Sequence, residues 1–354
     1  MKILALMKYG DRAASTRQRL LQFKPRFNQS NIEIECSSLF DNDYLSNVFQ
    51  KRRANKLRVL ACYLKRLKAV LWRSDYDALW IHYEAFPYCF GFMERLVFIR
   101  GKPVIYDFDD AIFHQYDAHQ NPLVRFMLGK KLHGLLRGAA LAVCGNAYLQ
   151  NYARQFCKNT IIIPTVVDTT RFISVPSHAD HKRVTVGWIG SPSTWNHMNA
   201  IVPLLTQLAD ELKLTIRVIG AGPQTTAISN FEFVDWSEQT EVAEIQGMDI
   251  GIMPLPDDLW ARGKCGYKLI QYMACGVAVV ASPVGVNSEI VENGVNGFTA
   301  SDDQEWRAAI RKLALNVALR RSMGVNGRTK VKNLYSLQTQ GPKLVEAVSK
   351  VLQI

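Results

Sequence analysis

Acidic residues are scarce in this chain of 354 residues: 31 Asp and Glu stand against 43 Lys and Arg, for a net charge of +12. Such an excess calls for an anionic partner or at least tolerates one, be it nucleic acid, anionic lipid or a phosphorylated substrate. Long apolar runs are also missing. None approaches the ~20 residues needed to cross a bilayer, and the opening "MKILALMKYG" has too short an apolar core for a signal peptide. It reads instead as a first buried strand. The seven cysteines include no C-x-x-C pair, so neither a disulfide framework nor a zinc site is indicated, and a reducing cytoplasm is the simplest home. No repeat, low-complexity segment or recognisable nucleic-acid-binding motif is present, so nucleic acid is not expected as a partner.

What is there is the pattern of a two-domain α/β protein. The hydrophobic fraction is 48% with mean hydropathy near zero, as in soluble globular proteins, and the length suits two domains of ordinary size. "KILALM", "IEIEC", "ALWIHY", "PVIYDF", "AALAVC" and "TIIIP" are strand candidates separated by helical patterns. After a polar, proline-bearing stretch the alternation restarts with "RVTVGWIG", "LTIRVIG", "FEFVDW", "MDIGIMPL", "VAVVAS" and "NGFTA". Alternation of this kind implies parallel sheets. The expected organisation is a first doubly wound domain over 1–172, a linker over 173–182, a second doubly wound domain over 183–335, and a C-terminal helix over 336–354 that could pack back on the first domain.

Much of the positive charge is concentrated in "KRRANKLRVLACYLKRLKAVLWR", residues 51–73, which holds nine Lys or Arg and no acid. Leu57, Leu60, Leu64, Leu67 and Leu71 recur at steps of three and four, giving one apolar stripe along a helix. Such a helix packs by its leucines or lies on a membrane with its basic residues on lipid head groups.

In "GKCGYKLIQYMACGVAVVASPVG", Gly263 to Gly285, a helix leads into a strand too apolar for a sheet edge. The helix therefore lies against a sheet, with Lys264 just ahead of its first turn, Lys268 inside it and Gln271 one turn further on. Helix N-termini at the carboxyl ends of strands favour anions.

Several features coincide in order: "VVDTTRF" after a strand, the glycine turn in "GWIGSPS", the strand "DIGIMPL", the run "KLIQYMACGVAVVASPVG", and "EIVENGVNGF". Together they resemble the retaining glycosyltransferases of family 4, over roughly Ile161 to Ala300. The resemblance implies the GT-B fold, two Rossmann-like domains facing a cleft, with a nucleotide diphosphate sugar on the second domain and an acceptor on the first. It implies no cofactor and no metal. The diphosphate then needs cations and backbone N–H groups, which makes Lys264 and Lys268 the charge stabilisers and places Gly190 and Ser191 beside phosphate. Tyr267 and Gln271 join them as donor contacts. Two positions depart from the family pattern. Of its two glutamates, which have seven residues between them, the first is replaced by Gly263 and the second by Gln271, which can hydrogen-bond ribose without bringing charge.

The first domain offers further candidates. "YDFDDAIF" invites a D-x-D metal reading of Asp107 and Asp109, but it ends a strand, and Asp109 or Asp110 is better placed to touch the acceptor or the donor sugar. Arg17 and Arg19 in "AASTRQRL", and His82 and Glu84 in "WIHYEAFP", are the acceptor candidates. The expected activity is sugar transfer to a saccharide or lipid-linked acceptor at the cytoplasmic face of an anionic membrane. A nucleotide-sugar 2-epimerase of the same fold and a non-enzymatic binder of anionic polymer are the alternatives.

Overall fold

The computed structural model describes residues 1–49, 52, 55–174, 183–222 and 228–353. The expected linker therefore lies, from residue 175 to 182, outside the described residues. The chain packs as two compact units: Met1–Thr165 with Arg262–Cys265 and Gln340–Ile354, and Val166–Ala261 with Gly266–Thr339.

Each unit is built on one parallel sheet. The first contains β1 (Lys2–Met7), β2 (Glu33–Ser38), β3 (Ala78–His82), β4 (Val104–Phe108), β5 (Leu141–Cys144) and β6 (Thr160–Ile162), in the order β2-β1-β3-β4-β5-β6. The second contains β7 (Thr185–Ile189), β8 (Thr215–Ile219), β9 (Phe231–Val234), β10 (Ile250–Met253), β11 (Ala278–Ala281) and β12 (Gly297–Thr299), in the order β12-β11-β10-β7-β8-β9. Every strand candidate read from the sequence is a strand, and the chain from Asp303 onward is helical. Strand order reverses between β1 and β3 in one sheet and between β7 and β10 in the other. Open α/β sheets take ligands in the crevice outside the carboxyl ends of the strands at such switch points.

The apolar runs follow from burial on both faces. Ile250, Ile252, Ala278 and Val280 enter one core of the second unit, while Met253, Val279 and Ala281 enter the core on the opposite face. A strand covered on both sides has no polar face to alternate.

The basic helix corrects one expectation. It spans Lys56–Trp72, capped by Asn55, whose side chain accepts from Leu57 N and Arg58 N. Its leucine stripe turns outward over its first half: Leu57, Leu60 and Leu64 are 77%, 55% and 58% exposed, Leu67 and Leu71 are half-buried, and the buried side chains are Arg66 and Val70. Arg66 takes the inner face because it donates to three carbonyl oxygens, those of Ala85 at 3.1 Å, Met7 at 2.9 Å and Ser37 at 2.9 Å. A leucine there would take a charged donor away from all three. Burial pushes the guanidinium down to about 10, against the opposing charge of Glu94.

Candidate functional site

In the second unit the site is assembled at the β7/β10 switch point. The helix Tyr267–Ala274 follows β10 and leads into β11. Its N-cap, Gly266, has φ +65°, and a Cβ there would run into the Ile290 side chain, so only glycine fits this entry. The helix is held tightly against the sheet. Tyr272 packs on Gly251 of β10, where a Cβ would come within 2.5 Å of its ring, and the Tyr272 hydroxyl accepts from Ile189 N at 2.9 Å.

This seating carries Lys268 to the end of β7, with Nζ 5.5 Å from the centroid of the Trp188 ring. Trp188 is itself buried and belongs to the core. Immediately beyond it, Gly190 donates to Ile219 O, and Ser191 opens a turn closed by Thr194 Oγ1 at 3.0 Å. Gly190 has no room for a side chain, because the Trp188 ring and Thr194 occupy that space. Gln271 is 3% exposed, one turn along the helix from Lys268. Tyr267 is partly buried and packs against the core under the helix.

The first unit builds its site at the carboxyl ends of β3 and β4. His82 ends β3, and Tyr83 follows with φ +67°, a left-handed conformation uncommon for an aromatic residue and held here by its surroundings. Tyr83 N donates to Asp107 O, its ring stacks on His82 at 4.1 Å, and its hydroxyl donates to Asp109 Oδ1 at 2.5 Å. Thr165 donates to the other Asp109 oxygen at 3.2 Å. His82 Nε2 lies 3.8 Å from Asp109 Oδ1, beyond hydrogen-bond reach, and is buried with no hydrogen-bond partner. Burial opposes charge on Asp109, but His82, Arg19 and the Tyr83 hydroxyl outweigh it and hold the carboxyl below its ordinary value.

Lys264 belongs to this unit too. Its Nζ lies 3.8 Å from Asp110 Oδ1, and its loop is pinned by Asn146, whose Nδ2 donates to Gly263 O at 2.9 Å and Lys264 O at 3.1 Å. Cys265 Sγ donates to Asp109 O at 3.1 Å. Asp109, Asp110, Lys264 and His82 are therefore brought together. Lys268, Gly190, Ser191 and Gln271 form the other group.

Two acceptor candidates have a different task. Arg19 is 1% exposed, donating from Nε to Asp107 Oδ1 at 2.8 Å and from Nη1 to Ile163 O at 2.6 Å. Burial disfavours its charge, yet the Asp107 and Asp109 carboxylates keep it protonated. Glu84 is buried between Lys131 Nζ at 2.5 Å and the Tyr116 hydroxyl at 2.6 Å, with Lys131 also 3.2 Å from Glu94. Both are structural ion pairs rather than surfaces for an acceptor. Arg17 is half-buried and donates to Asp11 O at 2.9 Å. The D-x-D reading fails on the same ground, since Asp107 is wholly buried against Arg19. Among the described residues, no group of three or more His, Cys, Asp or Glu could hold a metal ion.

Sequence reasoning passed over Tyr83, Asn146 and Lys131. Tyr83 stood in plain view between His82 and Glu84. Asn146 carried a cap signal at the end of β5, and its side chain does accept from Leu149 N. Nothing local marked Lys131.

Residues 183–316 match the family model Glycosyl transferases group 1, a span that contains β7–β12 and every donor-side candidate named above. Over 292 residues the chain is 21% identical to an uncharacterized glycosyltransferase of Methanocaldococcus jannaschii, covering 75% of this chain and 73% of that protein. HepE of Anabaena in complex with UDP-glucose superimposes with a TM-score of 0.72 at 16% identity, covering 99% of this chain and all of that one. Sucrose-phosphate synthase from Thermosynechococcus elongatus gives 0.69 at 14% identity, covering 100% of both chains. WaaG, a glycosyltransferase involved in lipopolysaccharide biosynthesis, gives 0.68 at 12% identity, covering 99% and 100%. These likenesses show the fold, two Rossmann-like units of the GT-B kind.

Proposed function

We infer that this chain, whose residues 183–316 match the Glycosyl transferases group 1 family model, moves a sugar from a nucleotide diphosphate sugar to a saccharide or lipid-linked acceptor, retaining anomeric configuration and using no metal. One observation carries the reading: Lys268 sits in the first turn of the helix after β10 and reaches Trp188 at the end of β7, beside Gly190 and Ser191. An ammonium group and a helix N-terminus at one switch point suit a diphosphate. The complexes of Anabaena HepE with UDP and with UDP-glucose support a nucleotide sugar as the co-substrate.

In the proposed step the acceptor oxygen attacks the anomeric carbon on the face from which the diphosphate departs. The carbon–oxygen bond to phosphate breaks, its electron pair stays on the phosphate, and the acceptor proton passes to that same phosphate. Negative charge grows on the leaving group, so Lys268 binds it more strongly in the transition state than in the ground state. Gln271 holds the ribose hydroxyls. On the first unit Asp109, kept anionic, accepts from a hydroxyl of the acceptor, and Asp110 with Lys264 lines the same place. Exposed Lys65 and Lys68 beside exposed Leu60 and Leu64 support peripheral residence on an anionic membrane, since among the described residues no helix is long and apolar enough to cross one.

The test is incubation with a panel of nucleotide sugars, with and without membrane lipid extract, while following release of nucleotide diphosphate. Release that requires an acceptor is expected. Conversion of the nucleotide sugar alone would favour the epimerase, and no turnover or binding of any donor would sink the reading.

A further inference from the structure

The helix Pro122–Leu128, "PLVRFML", has no buried residue although five of its seven side chains are Leu, Val, Phe or Met. Phe126 is 88% exposed and Leu123 60%, with Met127 exposed beside them. A helix this short is not stable on propensity alone. It is held by polar contacts at its start: Asn121 Oδ1 accepts from Leu123 N at 2.9 Å, and Arg125 donates to His119 O at 2.6 Å and Gln120 O at 3.0 Å. Just past its other end, Lys131 is anchored in the buried pair with Glu84 and Glu94. The segment is thus fixed at both ends while its apolar side chains are held outward. Val124 and Leu128 on its inner side line a cavity of about 560 Å³ with Tyr88, His114 and Tyr116.

The neighbouring loop repeats the theme. Tyr88, Phe90 and Phe92 are all exposed, the last two stacked at 6.0 Å, and Gly91 between them lies close against the Lys131 backbone. Through Pro87, whose carbonyl accepts from the Tyr63 hydroxyl at 2.6 Å, this loop abuts the basic helix Lys56–Trp72. Cations flank it: Arg125 lies exposed within the helix, Lys130 is exposed just past its end, and Lys8 Nζ sits 4.6 Å from the centroid of the Tyr88 ring. The nearest acid along the chain, Asp117, is engaged with His114 Nδ1 at 2.7 Å.

We propose that Pro122–Leu128 and the Tyr88–Phe92 loop form a second lipid-contact element, one that inserts its apolar side chains into the interface of an anionic bilayer beside the basic helix. The choice of partner rests on the membrane reading above and is independent of sugar transfer. Apolar and aromatic side chains rimmed by cations match a lipid interface, which offers hydrocarbon below and negative charge above. Insertion of the apolar side chains should be nearly indifferent to salt, whereas the contribution of Lys65 and Lys68 should be screened.

Sedimentation of the full chain with phosphatidylcholine vesicles, with and without phosphatidylglycerol, tests this. Leu123→Ser with Phe126→Ser should weaken binding about tenfold or more at low and high salt alike. Both side chains are exposed, so the melting temperature should not move. The control Leu315→Ser with Val325→Ser, exposed apolar positions of the second unit, should bind as wild type. In a Phe126→Trp variant, brominated lipid should quench the added fluorescence. Unchanged binding of the first double variant, no quenching at position 126 while the protein is bound, or failure of the wild type to bind any vesicle would each overturn the proposal. Release of nucleotide diphosphate with a water-soluble acceptor, measured on the same variants, judges sugar transfer separately.

Discussion

The two units share a plan of six parallel strands with one reversal of order, yet their charges are arranged in opposite ways. The first unit holds 29 Lys or Arg against 14 Asp or Glu, whereas the second holds 14 against 17. The first unit also buries charge: Arg19, Arg66, Glu84, Glu94, Asp107 and Lys131 all lie inside it, while the second buries Glu241 and Arg320 among a largely apolar interior. Among the described residues, the exposed large aromatics Trp72, Tyr88, Phe90, Phe92 and Phe126 all belong to the first unit. The difference teaches that one fold can place a site by two devices. In the second unit, glycines and close apolar packing seat the helix that carries Lys268. In the first, ion pairs across the interior fix loops at the strand ends.

The largest effect that can break this comparison is Lys131→Met. It leaves Glu84 and Glu94 buried without their counter-charge and should lower stability by about 3–5 kcal/mol, read from denaturant unfolding. A loss well under 1 kcal/mol would mean that the first unit does not depend on its buried charges. Next is Lys268→Ala, which should cut turnover roughly 100-fold, about 3 kcal/mol of barrier, and affect donor affinity less. Near-normal turnover with an intact fold would move the phosphate site to the Ser191 turn.

Lys65→Gln with Lys68→Gln should weaken binding to anionic vesicles by about 1 kcal/mol per lysine at low salt, with the difference vanishing at high salt. Arg66 does not belong in that variant, because its buried guanidinium holds three carbonyls and its loss would be felt as instability. Gln271→Ala is the smallest, raising the donor's apparent KM by about 1 kcal/mol equivalent through loss of a neutral hydrogen bond. A larger fall in turnover than in affinity would show that Gln271 acts on the transition state instead.

How much of this was legible in the sequence follows the same division. The strands of both sheets could be read because runs such as "VAVVA" are apolar for a reason that acts locally, burial on both faces. The place of Lys268 in the first turn of its helix was legible for the same reason, since glycine entry, helix and strand are contiguous. The ion pairs of the first unit were not. Arg19 meets Asp107 across 88 residues and Ile163 across 144, and Lys131 meets Glu84 across 47, so no window of sequence contains both partners. Arg19 and Glu84 therefore read as acceptor contacts. The leucine stripe misled at Leu57, Leu60 and Leu64 because periodicity reports that one face is apolar and not which way that face turns.

Cys265 has its thiol wedged between Gly145 and the Asp109 backbone, and burial pushes its pKa up. A thiol so placed cannot react with an alkylating reagent until Arg262–Cys265 lifts away from Asp109 and Gly145. Its modification rate in the native protein is then a clock for that local opening, needing no engineered label. With fast reclosure the rate gives the fraction of time the segment is open, and with excess reagent it gives the opening rate itself. Peptide mapping of alkylated Cys265, timed with and without a nucleotide diphosphate, would tell whether a ligand slows that clock, while Cys144, buried in the strand β5 of the same unit, keeps time for global unfolding.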